Sequence, residues 1–271
     1  SDDCISFSVS NYDTNRKLVI DPWSTFHGGN GGEATPCVLW ALGGSTGAGI
    51  LTAGGTTSNN FPVQNGIQMT LAAGWDGFVS KFSPSGTLLW STYYGGSADD
   101  SFEAIAESYS GDILLCGKTR STDFPIQQAM QTTNAGDQDA CLLKLSSTGV
   151  RHWATYVGGS SGDEFDYVCT DATGSIYLSG STNSSNLPVQ NAWQSNLGGG
   201  RDALLMKFTP NGSLWWGTYF GGSGDENYFL PGEFDLDSQG NSIITGFTLS
   251  TDFPVQNAWQ SYSNGSGDGF V

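Results

Sequence analysis

Three pairs of acidic residues stand at one recurring place in the sequence and are the groups best suited to hold a cation. Each pair follows a Gly-Gly dipeptide: Asp99 and Asp100, Asp163 and Glu164, Asp225 and Glu226. Calcium prefers several carboxylate oxygens, so pairs gathered on one ring would form a calcium site. The alternative, which we favour, is that each Asp accepts backbone N–H groups of its own turn. The six residues therefore stay as calcium candidates beside a prediction of turn capping.

Three lysines recur with the period of the acidic pairs: Lys81, Lys144 and Lys207. Each stands in a short apolar run that is typical of a strand. We therefore predict one ammonium–carboxylate pair inside each repeat.

The sequence contains no convincing arrangement of residues for nucleophilic catalysis. Two G-x-S-x-G segments, at Gly43–Gly47 and Gly158–Gly162, are expected by chance in a chain with 39 glycines, and neither stands between a strand and a helix. The only histidines, His27 and His152, suit packed or edge positions better than a catalytic base. The chain is therefore predicted not to be an enzyme.

The five cysteines show no metal-ligand spacing. Cys116 and Cys141 take the place of apolar or small residues in other repeats, which predicts buried thiols. Cys4 and Cys37 could form a disulfide, but the sequence does not decide it.

Composition excludes one class of partner. The formal charge is −17 with nine Lys and Arg residues in 271, and nucleic-acid binding requires many such residues to neutralise phosphates. No apolar stretch is long enough to span a bilayer, so the chain is not expected to cross a membrane.

One sequence motif, called the phrase below, occurs four times. It marks the repeats whose strands and turns must position the acidic residues and lysines. It reads Trp-Ser-Thr-Tyr-Tyr-Gly-Gly at Trp90, with near copies at Trp23, Trp153 and Trp216, at separations of 67, 63 and 63 residues. A fixed period of about 63 residues is the signature of a repeat protein. We predict a repeat domain over residues 17–271, after an N-terminal segment over residues 1–16.

The second repeat predicts four strands, at Phe102–Ala106, Ile113–Gly117, Ala140–Leu145 and Val150–Tyr156. A loop with one helical turn is expected up to Gln131. Four short strands separated by Gly, Pro, Asp and Ser turns form one antiparallel sheet, and radially repeated sheets of this size form a β-propeller. The fold prediction is therefore an all-β propeller of about four blades, the last incomplete. Either the strand at Leu18–Phe26 closes a four-bladed ring, or the blades belong to a larger propeller.

Length varies only in the first half of each repeat, around Pro36 to Gly47 and Leu230 to Gly232. Insertions in repeat proteins often lie on the binding face. The candidates for residues of interaction loops are therefore Pro36, Trp40, Leu42, Tyr228, Phe229, Leu230 and Pro231.

The tryptophans are predicted to be structural. Trp90, Trp153 and Trp216 occur once per repeat at one phase, which favours packing between neighbouring sheets. Trp193 and Trp259 stand where other repeats have Met130 and Ile67, which favours a role as apolar anchors of a loop.

The repeated segments resemble a known family, the bacterial β-propeller repeat called the SBBP repeat. The resemblance rests on Trp90–Asp100, Ser121–Pro125, Gly174–Thr182 and Asp202–Gly212, and covers about residues 17 to 271. It implies a propeller in a large exported or cell-surface bacterial protein, often one that uses the type 9 secretion route. It implies no established activity.

The expected function is a non-catalytic interaction or structural module with a protein partner in an exported, surface or periplasmic assembly. A carbohydrate-binding or adhesive domain is the second hypothesis, and a hydrolase or lyase with a site at the propeller axis is the third.

Overall fold

The computed structural model describes residues 24–42, 47–226, 234–263 and 265–271, except the side chains of residues 35 and 36. Within these ranges the protein is built from β-strands and turns, with no helix. No described helix is therefore long and apolar enough to span a membrane. Several predictions lie outside the described residues: the strand at Leu18, Trp23, Cys4, and the interaction residues Tyr228, Phe229, Leu230 and Pro231.

Three antiparallel sheets of four strands follow one another along the chain, each with its strands in sequence order. The first contains β1 (Glu33–Ala41), β2 (Gly49–Thr56), β3 (Asp76–Phe82) and β4 (Leu88–Tyr94). The second contains β5 (Asp100–Glu107), β6 (Ile113–Thr119), β7 (Asp139–Leu145) and β8 (Arg151–Val157). The third contains β9 (Asp163–Thr170), β10 (Ile176–Thr182), β11 (Asp202–Phe208) and β12 (Leu214–Phe220).

The fourth repeat forms two short strand pairs in its described part. Strand β13 (Phe234–Leu236) pairs with β14 (Ser242–Ile244), and β15 (Gly246–Thr248) pairs with β16 (Asp268–Phe270). The antiparallel sheets and the four strands predicted for the second repeat are confirmed.

The helical turn predicted before Gln131 is wrong. The Gln127 N–H donates to the Ala154 carbonyl at 3.1 Å, and the Ala154 N–H donates back at 2.9 Å. The loop backbone is thus satisfied by the neighbouring strand β8, so it gains nothing from coiling on itself.

The position of two interaction candidates also differs from the prediction. Pro36 and Trp40 lie in strand β1 and not in a loop. The pairing of β1 with β2 is interrupted between Ala34 and Cys37, which is where a proline without an N–H group can be accommodated.

The core lies between the sheets. In β6, Ile113 and Leu115 pack towards the first sheet, whereas Leu114 and Cys116 pack towards the third. The middle sheet is therefore buried on both faces, as alternating side chains of a strand require. Cys116 and Cys141 are fully buried in these two clusters, which confirms the predicted core thiols.

The repeated tryptophans connect consecutive sheets. Trp90 of β4 donates its indole N–H to the Ser147 carbonyl in the second sheet at 3.2 Å, and Trp153 donates to Pro210 in the third at 3.2 Å. Gly149 has φ of 82°, and a Cβ there would meet the Trp90 ring at 3.1 Å. The predicted packing between sheets is confirmed for Trp90 and Trp153.

The two loop tryptophans are not both anchored. Trp259 is 100% exposed and Trp193 is 65% exposed, although the Trp193 ring lies 5.7 Å from Phe220. The prediction is wrong for Trp259, because no described side chain covers its ring. Met130, the counterpart of Trp193, does pack against the core between the second and third sheets.

Truncation of a side chain between two sheets should destabilise the whole protein. We expect Leu142→Ala to lower the free energy of unfolding by about 2–5 kcal/mol, because it leaves a cavity in a fully buried cluster. The matched control is Val150→Ala, since Val150 is 57% exposed. Urea unfolding followed by tryptophan fluorescence measures both, and equal losses would contradict the two-sided burial of the middle sheet.

Candidate functional site

The acidic residues occupy two different registers of the repeat. Asp100, Asp163 and Glu226 each stand four residues after the second glycine of the phrase, whereas Asp99 and Asp225 stand one residue earlier, where the third repeat has Gly162. The predicted pairs are therefore not equivalent, since Glu164 corresponds to Ser101.

The residues in the later register cap the loops that join consecutive sheets. We define the junction loops as residues 95–98, 158–161 and 221–224. In each loop the second glycine donates its N–H to the following acid: Gly96 to Asp100 at 2.7 Å, Gly159 to Asp163 at 2.7 Å and Gly222 to Glu226 at 3.2 Å. Glu33 accepts from Gly29 at 3.2 Å in the same way. The turn-capping interpretation is confirmed for these acids.

The same acids also accept hydroxyl groups from residues at the end of a nearby strand. Asp163 accepts the hydroxyl groups of Thr182, the last residue of β10, and of Ser184, the latter at 2.8 Å. Glu226 is bound likewise by Thr248, the last residue of β15, and by Ser250. Each carboxylate thus joins a junction loop to the end of a strand in the following repeat.

Every N–H group of a junction loop has a side-chain acceptor. Besides Gly159, the loop after the second sheet pairs Gly158 with Gln131 at 3.0 Å, Ser160 with Asn186 at 2.8 Å and Ser161 with Ser184 at 2.9 Å. Because no strand partner serves these groups, side chains supply the hydrogen bonds of the loop backbone, of which Gly158 and Gly159 are buried.

A second buried carboxyl adjoins each junction. Asp139, which is fully buried, accepts from the Gln131 amide at 2.7 Å and the Ala135 N–H at 3.0 Å. Burial, together with the nearby charge of Asp163, raises the pKa of Asp139 to about 6. A Cβ on Gly158 would meet the Asp139 carboxyl carbon at 2.5 Å, so this loop position requires glycine.

The remaining acidic candidates have separate partners. Glu164 pairs with Lys118 at 3.2 Å and with Arg201, and Asp99 accepts the Trp75 N–H at 3.0 Å. Among the described residues, no group of three or more His, Cys, Asp or Glu side chains is arranged to hold a metal ion. Calcium binding stays a prediction.

The predicted lysine pairs are present in two sheets. Lys144 lies 3.1 Å from Asp112, and Lys207 lies 3.8 Å from Asp171. Lys81 is buried, which lowers its pKa, and the charge of Glu107 in the next sheet opposes this shift.

Both histidines have structural contacts. The His152 ring lies 3.2 Å from Asp112 at the surface, and His27 Nε2 lies 2.7 Å from the Ser80 hydroxyl. The His27 ring packs 4.6 Å from Phe61, and burial lowers the pKa of this histidine. Gly158–Gly162 is a junction loop followed by a strand, so its serine does not stand at a nucleophile elbow.

Two groups of cavities lie at opposite ends of the strands. At the junction-loop end, cavities of about 550 and 230 Å³ share Arg120 and Gln138, and Trp75 lines the larger one. At the other end, a cavity of about 390 Å³ is lined by Leu42 and Tyr109 among others.

Sequence analysis missed Trp75, Tyr109, Arg120 and Gln138. These residues differ from repeat to repeat, so a search for recurring residues passes over them. Of the predicted interaction residues, Leu42 lines a cavity and is 76% exposed, and Trp40 is 54% exposed.

Comparison with known proteins identifies no family for the chain. No protein-family model matches it, and no curated protein matches its sequence.

The raised pKa of Asp139 predicts a pH dependence of stability. A carboxyl whose folded pKa lies above its unfolded value contributes stability that is present at low pH and is lost as pH rises through the folded pKa, here about 6. Lowering pH from 7 to 5 should therefore raise the free energy of unfolding less in Asp139→Asn than in the control Asp137→Asn, whose residue is exposed. Urea unfolding at both pH values measures the difference, and identical pH responses would contradict it.

Proposed function

We propose that the chain is a β-propeller of the SBBP-repeat type that serves as a non-catalytic interaction scaffold. Support for the propeller comes from the way the sheets succeed one another: β1 contacts β5, and β5 contacts β9. Four-stranded sheets packed face to face with their first strands adjacent are the arrangement of propeller blades. The repeated sequence phrase supports the same fold.

The assignment as a scaffold follows from what the repeated acids do. The carboxylate oxygens of the repeated acids accept hydrogen bonds from loop N–H groups and hydroxyls of the same junction, as in Asp100, Asp163 and Glu226. A carboxylate held in this way supports the fold, and its repetition at each junction favours structure over a single reaction centre.

The interaction surface that we propose lies at the end of the sheets that carries Leu42 after β1, the β5–β6 connection and the β9–β10 connection. Leu42 is 76% exposed and Tyr109 is 91% exposed, and both line the cavity of about 390 Å³ together with Asp171 and Ala172. This exposure of two large side chains around one concavity is the observation that carries the proposal. Exposed apolar side chains rimmed by polar groups mark protein interaction sites, and tyrosine is enriched among residues that dominate binding.

Leu42 is held in place by the neighbouring sheet. Glu107 of the second sheet accepts the Leu42 N–H at 2.6 Å, so the backbone at Leu42 is fixed to that sheet. A side chain on a fixed backbone loses less conformational entropy on binding than one on a free chain. The partner that we propose is a protein of an exported, cell-surface or periplasmic bacterial assembly.

Replacing both side chains should weaken the interaction without unfolding the protein. We expect the double variant Leu42→Ser with Tyr109→Ser to bind its partner at least about tenfold more weakly, because truncated hot-spot residues cost about 2 kcal/mol or more. The control is Met69→Ser, whose residue is 51% exposed on the connection between β2 and β3. Cross-linking in native bacterial envelope, followed by affinity measurement with the captured protein, tests it. Equal binding by the double variant, or no specific partner for the wild type, would contradict the proposal.

A further inference from the structure

The larger cavity at the junction-loop end is lined by both apolar and polar residues. Its apolar lining consists of Trp75, Phe102, Ala34 and Gly55, and its polar lining consists of Asp99, Asp100, Ser101, Glu103, Lys118, Arg120 and Gln138. Its volume of about 550 Å³ is within the range of about 300–1,000 Å³ that is usual for ligand pockets. The polar cavity of about 230 Å³ adjoins it through Arg120 and Gln138.

Differences between repeats shape the lining of this cavity. Gly55 in β2 occupies the position of Lys118 in β6 and Ser181 in β10, so the Trp75 ring can lie directly against the β2 backbone. A Cβ on Gly55 would already lie 3.1 Å from the indole ring. The Trp75 backbone is fixed, because its N–H donates to Asp99 at 3.0 Å and its carbonyl accepts the Asp100 N–H at 2.7 Å.

Two polar side chains in the wall are available to a ligand. Within the part of the chain that the structure describes, the Arg120 guanidinium and the Gln138 amide make no hydrogen bond or ion pair. Lys118, by contrast, is neutralised by Glu103 at 3.4 Å and Glu164 at 3.2 Å. Together Arg120 and Gln138 offer several donors and one acceptor at the point where the two cavities meet.

The charges in the wall favour an uncharged ligand. The three acids Asp99, Asp100 and Glu103 exceed Lys118 and Arg120 by one formal negative charge, so the lining does not favour an anion, and the formal charge of −17 repels anions at long range. An exclusively apolar ligand would leave the Arg120 and Gln138 side chains without partners, which costs binding free energy. The wall thus requires a molecule with an apolar face and many hydroxyl groups.

We infer that this cavity binds a neutral sugar residue of an oligosaccharide. The sugar places the C–H groups of one ring face on the Trp75 indole, and its hydroxyls donate to Asp99 or Glu103 and accept from Arg120 and Gln138. The next sugar residue occupies the smaller polar cavity. This role does not depend on the proposed protein partner, since the Leu42 and Tyr109 surface lies at the opposite end of the strands.

The test titrates the full chain with neutral gluco-, galacto-, manno-, xylo- and chito-oligosaccharides, using calorimetry and saturation-transfer NMR. We expect saturable binding of at least one series, weakened about tenfold or more by Trp75→Ala, because loss of an aromatic contact of this size costs about 1.4 kcal/mol or more. Trp259→Ala is the matched control, since Trp259 is fully exposed outside the cavity.

A second variant keeps the test independent of folding. Ala34 is exposed at the rim, so Ala34→Trp should block the cavity and remove binding while leaving the thermal unfolding transition unchanged. Unchanged affinity in Trp75→Ala and Ala34→Trp would overturn the inference, as would loss of binding in Trp259→Ala. Binding of none of the neutral series, or of uronic-acid oligosaccharides alone, would overturn it as well.

Discussion

The carboxylate that begins each sheet is the interaction on which the rest of the structure depends. An ionisable group buried without partners is costly, and a loop N–H buried without an acceptor is also costly. At the junctions each of these groups satisfies the other: Asp163 accepts the Gly159 N–H at 2.7 Å and the hydroxyl groups of Thr182 and Ser184. The direction in which one sheet follows another is therefore set by hydrogen bonds of defined geometry and not by apolar contact alone.

The junction hydrogen bonds are the same from repeat to repeat, whereas the residues that line the cavities at the two ends of the strands differ. At one end, Trp75 and Arg120 stand beside junction loops that cannot move without losing several hydrogen bonds, so a cavity there keeps its shape. At the other end, Leu42 and Tyr109 stand on short connections that carry no part of the junction. Recurring residues hold the sheets together, and residues that occur in one repeat alone line the proposed binding surfaces at each end.

Sequence reasoning succeeded where a feature recurs and failed where it depends on neighbours in space. The strands, Trp90, Trp153 and the pairs of Lys144 and Lys207 could be predicted, since a fixed period puts equivalent residues in equivalent surroundings. The cavity beside Trp75 could not be predicted, because its lining combines residues of the first and second sheets that do not recur from repeat to repeat. The propeller arrangement and the proposed interactions remain predictions.

The most direct test of the junctions is native-state hydrogen exchange of the Gly159, Ser160 and Ser161 amides, measured by NMR. These amides lie in a loop, and their acceptors are the side chains of Asp163, Asn186 and Ser184. We predict protection comparable to that of amides in β7 and β8, because opening the loop would require separation of the sheets. Exchange at the rate of an unstructured chain would contradict the claim that side-chain acceptors hold the sheets together.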